Sequence, residues 1–335
     1  MQLIQMGMGL IGDAWLRVLL ETGIASHAAF VEVNEGNAAR LVKRYGLKSP
    51  KIFQSLPDAL ASVSADGVLE AIPPEFRLDT ATITAEAGLP LLSEKPMSDT
   101  MDNARRIVKI ADDSGVLHMV AQNYRYNIPA QTVKQVLTSG ELGAVQHVTV
   151  EHYRGLHLPG FHQQMRYPLL QDMSIHHFDL MRFFLEGDYQ TVFARSWNPS
   201  WSTHAGNASV VAIFTFPGDI TVSYDASWCS QGLPTTWTGN WRFECEKGVL
   251  NLRDDVVSIQ KSENLGEHEY LYDPVINVPP ADTQFHNQAY LAQEFYDAVT
   301  NGGSTGTPVQ DNINSIQMVF DVIASSEAGQ VVTRA

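Results

Sequence analysis

The chain carries Gly7-Met8-Gly9-Leu10-Ile11-Gly12 directly behind the apolar run Leu3-Ile4-Gln5-Met6. That order predicts strand, tight glycine turn, then helix. Trp15, Val18 and Leu19 continue the pattern at helical spacing, and Gly23 marks the stop. The three glycines have separate jobs. One permits the turn, one lets backbone approach a pyrophosphate, and one lets helix pack on strand. The start of the helix then presents unpaired N–H groups to an anion. A second strand-like run, His27–Val31, ends at Glu32, about where an acid is expected to read a ribose 2′-hydroxyl. The two features together point to a dinucleotide cradle.

Beyond Glu32, strand and helix patterns alternate as far as residue 122. Helical segments carry Ala38, Leu41 and Val42, then Pro57–Ser62, then Asp99–Ser114. Strand-like segments lie at Lys51-Ile52-Phe53, Gly67–Ile72, Leu89–Leu92 and Val116–Ala121. Such alternation implies right-handed crossovers and a parallel sheet. Ligands then bind beyond the carboxyl ends of the strands, which places the glycine turn, Glu32, Pro73-Pro74 and Glu94-Lys95-Pro96 along one rim. After residue 123 the rhythm changes. Helices at Ala130–Ser139 and about 170–185 give way to eight strand-like runs between Val145 and Tyr272, as in an antiparallel sheet. Two helices follow, about Gln284–Thr300 and Asp311–Ser325, and helices of this kind can pack back on the first domain. The reading is two domains, 1–122 and 123–335, the second α+β with an open antiparallel sheet.

Composition narrows the function. The net charge is −15, and most of it lies beyond residue 122. Nucleic acid wants a basic face, and polyanions are not steered to an acidic one, so a neutral or weakly charged small molecule is expected. Two cysteines, Cys229 and Cys245, make no disulfide framework. No apolar run approaches a membrane span, and Met1 leads straight into the first strand. The expectation is a cytoplasmic protein.

Several residues could do chemistry. In a helical reading of 172–184, Asp172, His176 and Asp179 share a face at i, i+4 and i+7. An imidazole between carboxylates is a good general acid or base; a metal site, or an N-capped helix with a solvated face, fits the same spacing. Lys95 is followed by Pro96, which restricts its backbone and fixes where its side chain leaves the strand end; it is equally readable as a surface lysine beside an acid. His152, His157 and His162 are loosely spaced for zinc and no cysteine joins them, so no metal is expected. A loop bordering a polar pocket is the better reading, with Arg154, His157 and Tyr167 as substrate contacts. Asn123-Tyr124-Arg125-Tyr126 stands where the domains should meet, as a sugar-contacting segment or a hinge. An open sheet leaves one face bare. Placing Trp228, Trp237, Trp241, Phe214 and Phe216 on it predicts a homo-oligomer, dimer or tetramer; alternatively these rings fill the domain core.

Taken together, the glycine motif at 7–12, Glu-Lys-Pro at 94–96 and Asp-x-x-x-His-x-x-Asp at 172–179 resemble the Gfo/Idh/MocA oxidoreductase family over essentially the whole chain. The resemblance implies an N-terminal Rossmann domain with a parallel sheet and a C-terminal α+β domain with a large, mostly antiparallel sheet. It implies catalytic roles for Lys95, Asp172 and His176. It also implies a cofactor site made by Gly7, Met8, Gly9, Leu10, Ile11, Gly12, Glu32, Pro73, Pro74, Arg77, Glu94 and Lys95. Substrate contacts are expected from Tyr124, Arg125, Arg154, His157, Tyr167, Asp172, His176 and Asp179. The implied reaction moves a hydride between a nicotinamide cofactor and a secondary alcohol or ketone of a sugar or polyol. Glu32 repels a 2′-phosphate, which favours NAD over NADP. An NADPH-dependent keto-sugar reductase and a non-catalytic nucleotide sensor are the alternatives. One departure stands out: after Pro73-Pro74-Glu75-Phe76 the family usually shows histidine and this chain has Arg77, expected to alter cofactor or phosphate contacts.

Overall fold

A computed structural model describes residues 1–156, 163–266 and 269–334, and these fall into two compact units. The first comprises Met1–Asn123 and Phe285–Ile316; the second comprises Tyr124–Gln284 and Gln317–Ala335.

In the first unit six parallel strands lie in the order β3-β2-β1-β4-β5-β6. They are β1 (Gln2–Met6), β2 (Ser26–Val31), β3 (Ile52–Phe53), β4 (Gly67–Glu70), β5 (Leu91–Ser93) and β6 (His118–Val120). Helices α1 (Leu10–Thr22), α2 (Glu35–Tyr45), α3 (Leu56–Ser62), α4 (Arg77–Glu86) and α5 (Met101–Ser114) make the crossovers. This is the doubly wound Rossmann order, and the strand order reverses between β1 and β4. Buried β4 reads as a continuous apolar run closed by Glu70, as a strand covered on both faces must.

Local signals set the helix ends. Asn34, Ser55 and Thr100 cap α2, α3 and α5 by accepting the N–H three residues on, each cap contributing about 1 kcal/mol. Gly23, Gly46 and Gly115 stop α1, α2 and α5 in the left-handed conformation. The later segment completes the unit. It holds α8 (Asn287–Asn301), which packs on α1, and Phe295, fully buried, lies close to Gly67 at the start of β4. Thr307 pairs with β6: the Val120 N–H donates to the Thr307 carbonyl at 2.8 Å and the Thr307 hydroxyl donates to the Val120 carbonyl at 2.7 Å.

The second unit begins with α6 (Ile128–Ser139), capped by Asn127, and includes α7 (Ile175–Leu185). Its sheet runs β14-β13-β12-β11-β7-β10-β9-β8-β16, with β15 paired to β13. The strands are β7 (Val145–Tyr153), β8 (Thr191–Trp197), β9 (Ser209–Phe216), β10 (Ile220–Ser227), β11 (Asn240–Cys245), β12 (Gly248–Arg253), β13 (Val256–Gly266), β14 (Glu269–Tyr272), β15 (Ile276–Asn277) and β16 (Val332–Thr333). All the pairings are antiparallel except β7 with β10. Helix α9 (Val309–Ala328) passes from the first unit to the second at Ile316–Gln317.

The aromatic residues expected on the bare face are corrected by burial. Trp228, Trp241, Phe214 and Phe216 are each 2% exposed or less, and α7 packs on two of them. Phe178 meets Phe214 edge to face at 5.2 Å, and Phe184 meets Trp241 at 5.2 Å. Trp237 alone of the five is open to solvent. Strand alternation sends a different set outwards: Phe193 and Trp197 from β8, Val211 and Ile213 from β9. Among the described residues no helix is long and apolar enough to cross a membrane, and no group of histidine, cysteine and acidic side chains is placed to hold a metal ion.

Candidate active site

In the first unit the glycine turn has the shape its sequence predicts. Gly7 adopts a φ of +88°, and a Cβ there would stand 2.3 Å from the Ala71 carbonyl oxygen. A Cβ on Gly12 would stand 2.1 Å from the Gly7 carbonyl oxygen. Neither position admits a side chain. Gly9 differs, because a Cβ there would meet nothing within 4 Å. It is the N-cap of α1 and offers no side-chain cap, so the first turn of the helix keeps its N–H groups for something else. Gln5 supports the turn from below, its Nε2 donating to the carbonyls of Gly7 (3.1 Å) and Gly12 (2.9 Å). Leu10 and Ile11 face outwards.

Glu32 stands at the end of β2 and is 8% exposed. Its carboxylate accepts the Met8 N–H at 2.7 Å and the Asn34 N–H at 2.7 Å, which fixes it against the glycine turn. An open glycine face, an uncapped helix start and an anchored acid one strand away are what a pyrophosphate and a ribose diol require. The residues fit a dinucleotide. Sequence reasoning missed Arg40 of α2, which donates to the Met8 carbonyl at 3.1 Å and pairs with Asp13 at 2.9 Å. Its spacing from the motif carried no signal.

Pro73 and Pro74 lead from β4 into α4 through a single 3-10 turn, Pro74–Phe76. Glu94 and Lys95 follow β5. Glu94 is buried; its carboxylate accepts from Trp15 Nε1 at 2.7 Å and from the Lys95 N–H at 3.2 Å. Burial holds its pKa above the usual carboxylate range, against the pull of Lys95. Lys95 itself is half-buried. Arg77, expected at phosphate or cofactor, is turned inwards instead, 3% exposed and bonded to backbone carbonyls.

In the second unit, Asp172 lies in a wide turn of π type, Leu169–Ser174, that feeds directly into α7. Such turns re-aim side chains and recur at functional sites. His176, in the first turn of α7, is 5% exposed, and its ring stacks on Tyr124 with centroids 4.1 Å apart and planes 18° from parallel. Burial raises the pKa of the Tyr124 hydroxyl, and the Asp172 carboxylate raises it further while Arg154 opposes. Tyr124, Asp172, His176 and Arg154 therefore share one neighbourhood. Arg154 lies over the Trp237 ring at 4.1 Å and donates to the Thr235 carbonyl at 2.6 Å. His177, next to His176, is committed to the core: it bonds the Tyr224 hydroxyl at 2.9 Å and the Trp237 carbonyl at 3.1 Å.

Three expected substrate contacts are placed otherwise. Arg125 and Asp179 bind each other through two bonds of 2.7 Å, with Asp179 wholly buried. A buried carboxylate needs a partner charge, and the fork of an arginine supplies it. Tyr167 is 6% exposed and its hydroxyl donates to Glu327 at 2.8 Å. His157 lies outside the described residues, as does His162.

Residues 3–122 match the model of the oxidoreductase family with an NAD-binding Rossmann fold, and residues 130–251 match the GFO/IDH/MocA C-terminal domain. This chain belongs to the Gfo/Idh/MocA oxidoreductase family. The NAD-binding match lies within the first unit, and the C-terminal-domain match spans α6, α7 and the large sheet from β7 into β12. An inositol 2-dehydrogenase of Corynebacterium glutamicum is 27% identical over 60% of this chain and 58% of its own length. A D-apiose dehydrogenase of Rhizobium rhizogenes is 23% identical over 90% of this chain and 94% of its own. Among solved structures, an oxidoreductase from Agrobacterium radiobacter, in complex with NAD+, L-tartaric acid and magnesium, superposes with a TM-score of 0.86 at 19% identity, covering 99% of this chain and 98% of that one.

Proposed function

We propose that this member of the family is an NAD-dependent dehydrogenase that oxidises a secondary alcohol of a sugar or cyclic polyol, or runs the reverse reduction. The observation that carries the reading is the grouping of His176, Tyr124 and Asp172 at the head of α7. A positioned imidazole is the usual acceptor for a hydroxyl proton near neutral pH. His176 takes that proton as the carbinol carbon gives up hydride and its C–O bond becomes C=O. Asp172 orients the ring and steadies the imidazolium. Lys95 polarises the substrate oxygen. Nicotinamide, when bound, supplies the hydride acceptor; Gly9, the start of α1 and Glu32 hold its dinucleotide. Both oxygens of Glu32 accept backbone N–H groups, so its charge stays at the end of β2 and disfavours a 2′-phosphate. The inositol and apiose relatives support a polyol or sugar as substrate.

The apolar strip of Phe193, Trp197, Val211 and Ile213 supports pairing of two copies through the open face of the sheet. Sedimentation of wild type and Ile213→Glu tests it: a monomeric wild type rejects the pairing.

Turnover is tested with purified protein, NAD+ or NADP+, and a panel that includes myo-inositol, D-apiose and common aldoses, read as absorbance of the reduced cofactor. His176→Ala is expected to lower the rate by about 100-fold or more. An undiminished rate removes His176 as the base. Tight NAD+ binding with no turnover on any member turns the reading towards a nucleotide sensor.

A further inference from the structure

Arg77 opens α4 just beyond β4. Its Nη2 donates to the Ile72 carbonyl at 2.8 Å, and its Nη1 donates to the carbonyls of both Glu94 and Pro96. Ile72 follows β4, whereas Glu94 and Pro96 flank Lys95 beyond β5. One planar cation thus ties the ends of two neighbouring strands and grips the backbone on either side of Lys95. The Lys95 N–H is held as well, by the Glu94 carboxylate that Trp15 anchors. Three consecutive residues of the turn are therefore bonded from within the same unit. The charge is balanced below, where Arg77 Nε faces Glu70 Oε2 at 3.6 Å, with Arg77 4% and Glu70 0% exposed at the side chain. An ammonium cannot reproduce this grip, because only the guanidinium presents donors in a rigid planar fork.

We propose that Arg77 is a positioning residue for Lys95: it fixes the backbone from which the Lys95 ammonium reaches the substrate oxygen. The proposal deepens the reading of Lys95 given above and rests on it for its catalytic consequence. A misplacement of about 1 Å at a reacting group costs on the order of 100-fold in rate. An arginine held by carbonyls and one carboxylate of its own unit therefore governs turnover without touching substrate.

The test uses two variants. Arg77→Gln combined with Glu70→Gln removes both buried charges, so no unpaired carboxylate is left to unfold the domain; Arg77→Lys keeps the charge and loses the fork. Lysines are labelled by reductive methylation with 13C-formaldehyde, and the Lys95 dimethyl signal is identified by its loss in Lys95→Arg. In the double variant the Lys95 signal is expected to move towards those of exposed lysines while the other lysine signals stay in place. NAD+ affinity should remain within about threefold. On the panel substrate that wild type oxidises fastest, kcat should fall by about 100-fold with KM little changed, and Arg77→Lys should lie between. An unmoved Lys95 signal, or an unchanged kcat in either folded variant, overturns the proposal. The two readings fail separately. If Lys95→Ala keeps wild-type turnover, the role of Lys95 falls while the signal shift still reports on Arg77; if Lys95→Ala is inactive and the Arg77 variants are unaffected, only the positioning role falls.

Discussion

Tyr124 lies flat against His176, with ring centroids 4.1 Å apart and planes 18° from parallel. Tyr124 closes one face of the imidazole, and the π-type turn that carries Asp172 leads into the helix that carries it. A stacked pair of rings contributes about 0.5–1.5 kcal/mol beyond area burial. Tyr124→Ala should therefore lower kcat by up to about tenfold, whereas Tyr124→Phe keeps the stack and should stay within about threefold. Equal loss in both variants would assign the effect to the hydroxyl and not to the ring.

The glycines of the turn make opposite predictions. Gly9→Ala introduces a methyl group where no atom lies within 4 Å, so the melting temperature should hold while NAD+ affinity drops, since the methyl takes space kept for phosphate. Gly12→Ala forces a Cβ to 2.1 Å from a carbonyl oxygen and should destabilise the domain itself. Calorimetric melting and NAD+ titration separate the two. A Gly9→Ala protein that binds NAD+ as wild type does would remove Gly9 from the cradle.

Asp179 and Arg125 form a buried pair whose two halves depend on one another. Asp179→Ala takes the carboxylate from Arg125, 9% exposed at its side chain, and from Arg182, whose Nη1 lies 3.8 Å away, and should cost about 3–5 kcal/mol in urea unfolding of the second unit. Replacing both, as Arg125→Met with Asp179→Leu, should recover most of that loss. A double variant as unstable as the single one would show that the two charges act independently.

Stability should fall between pH 7 and pH 5. Burial lowers the pKa of His118 to about 3, of His27 and His177 to about 4, and of His152 to about 2. Each stays neutral in the folded protein and takes a proton only on unfolding below pH 6.5. Its stabilising contribution is complete above that value and is lost as pH falls, by up to about 1.4 kcal/mol per pH unit per group. Glu70 and Glu94 have the opposite sign: burial raises the Glu70 pKa to about 7 and holds that of Glu94 above the usual carboxylate range, so the folded state gains stability from both as pH drops. Four groups against two leave a net decline. Urea midpoints measured at pH 7, 6 and 5 should fall, and His118→Gln should flatten the slope of the first unit. A level midpoint would contradict the neutral assignment.

The fold was readable where one local rule governed it. The glycine turn, the alternation up to residue 122 and the strand pattern from Val145 follow from period and punctuation, and their edges moved by a few residues. The face of a strand is harder to read, because period 2 says that Phe214 and Phe193 lie on opposite sides but not which side α7 covers. Partner choice is harder still. Arg125 and Asp179 are polar residues near the expected rim, and only folding reveals that each satisfies the other. Arg77 is the clearest case, since its partners are backbone carbonyls, which every residue possesses and no sequence pattern marks.

The Rossmann unit is discontinuous along the chain. Its β6 edge is finished by Thr307, and Phe295 sits beside the first residue of β4. A ribosome that has released only the first 123 residues has therefore made a sheet with one margin unsatisfied and an apolar seat still empty. Everything from Tyr124 to Gln284 must be synthesised before the closing piece emerges, so the nucleotide-binding half is begun first yet waits for most of the chain, and a fragment cut at Asn123 should be captured by chaperones and should not fold alone.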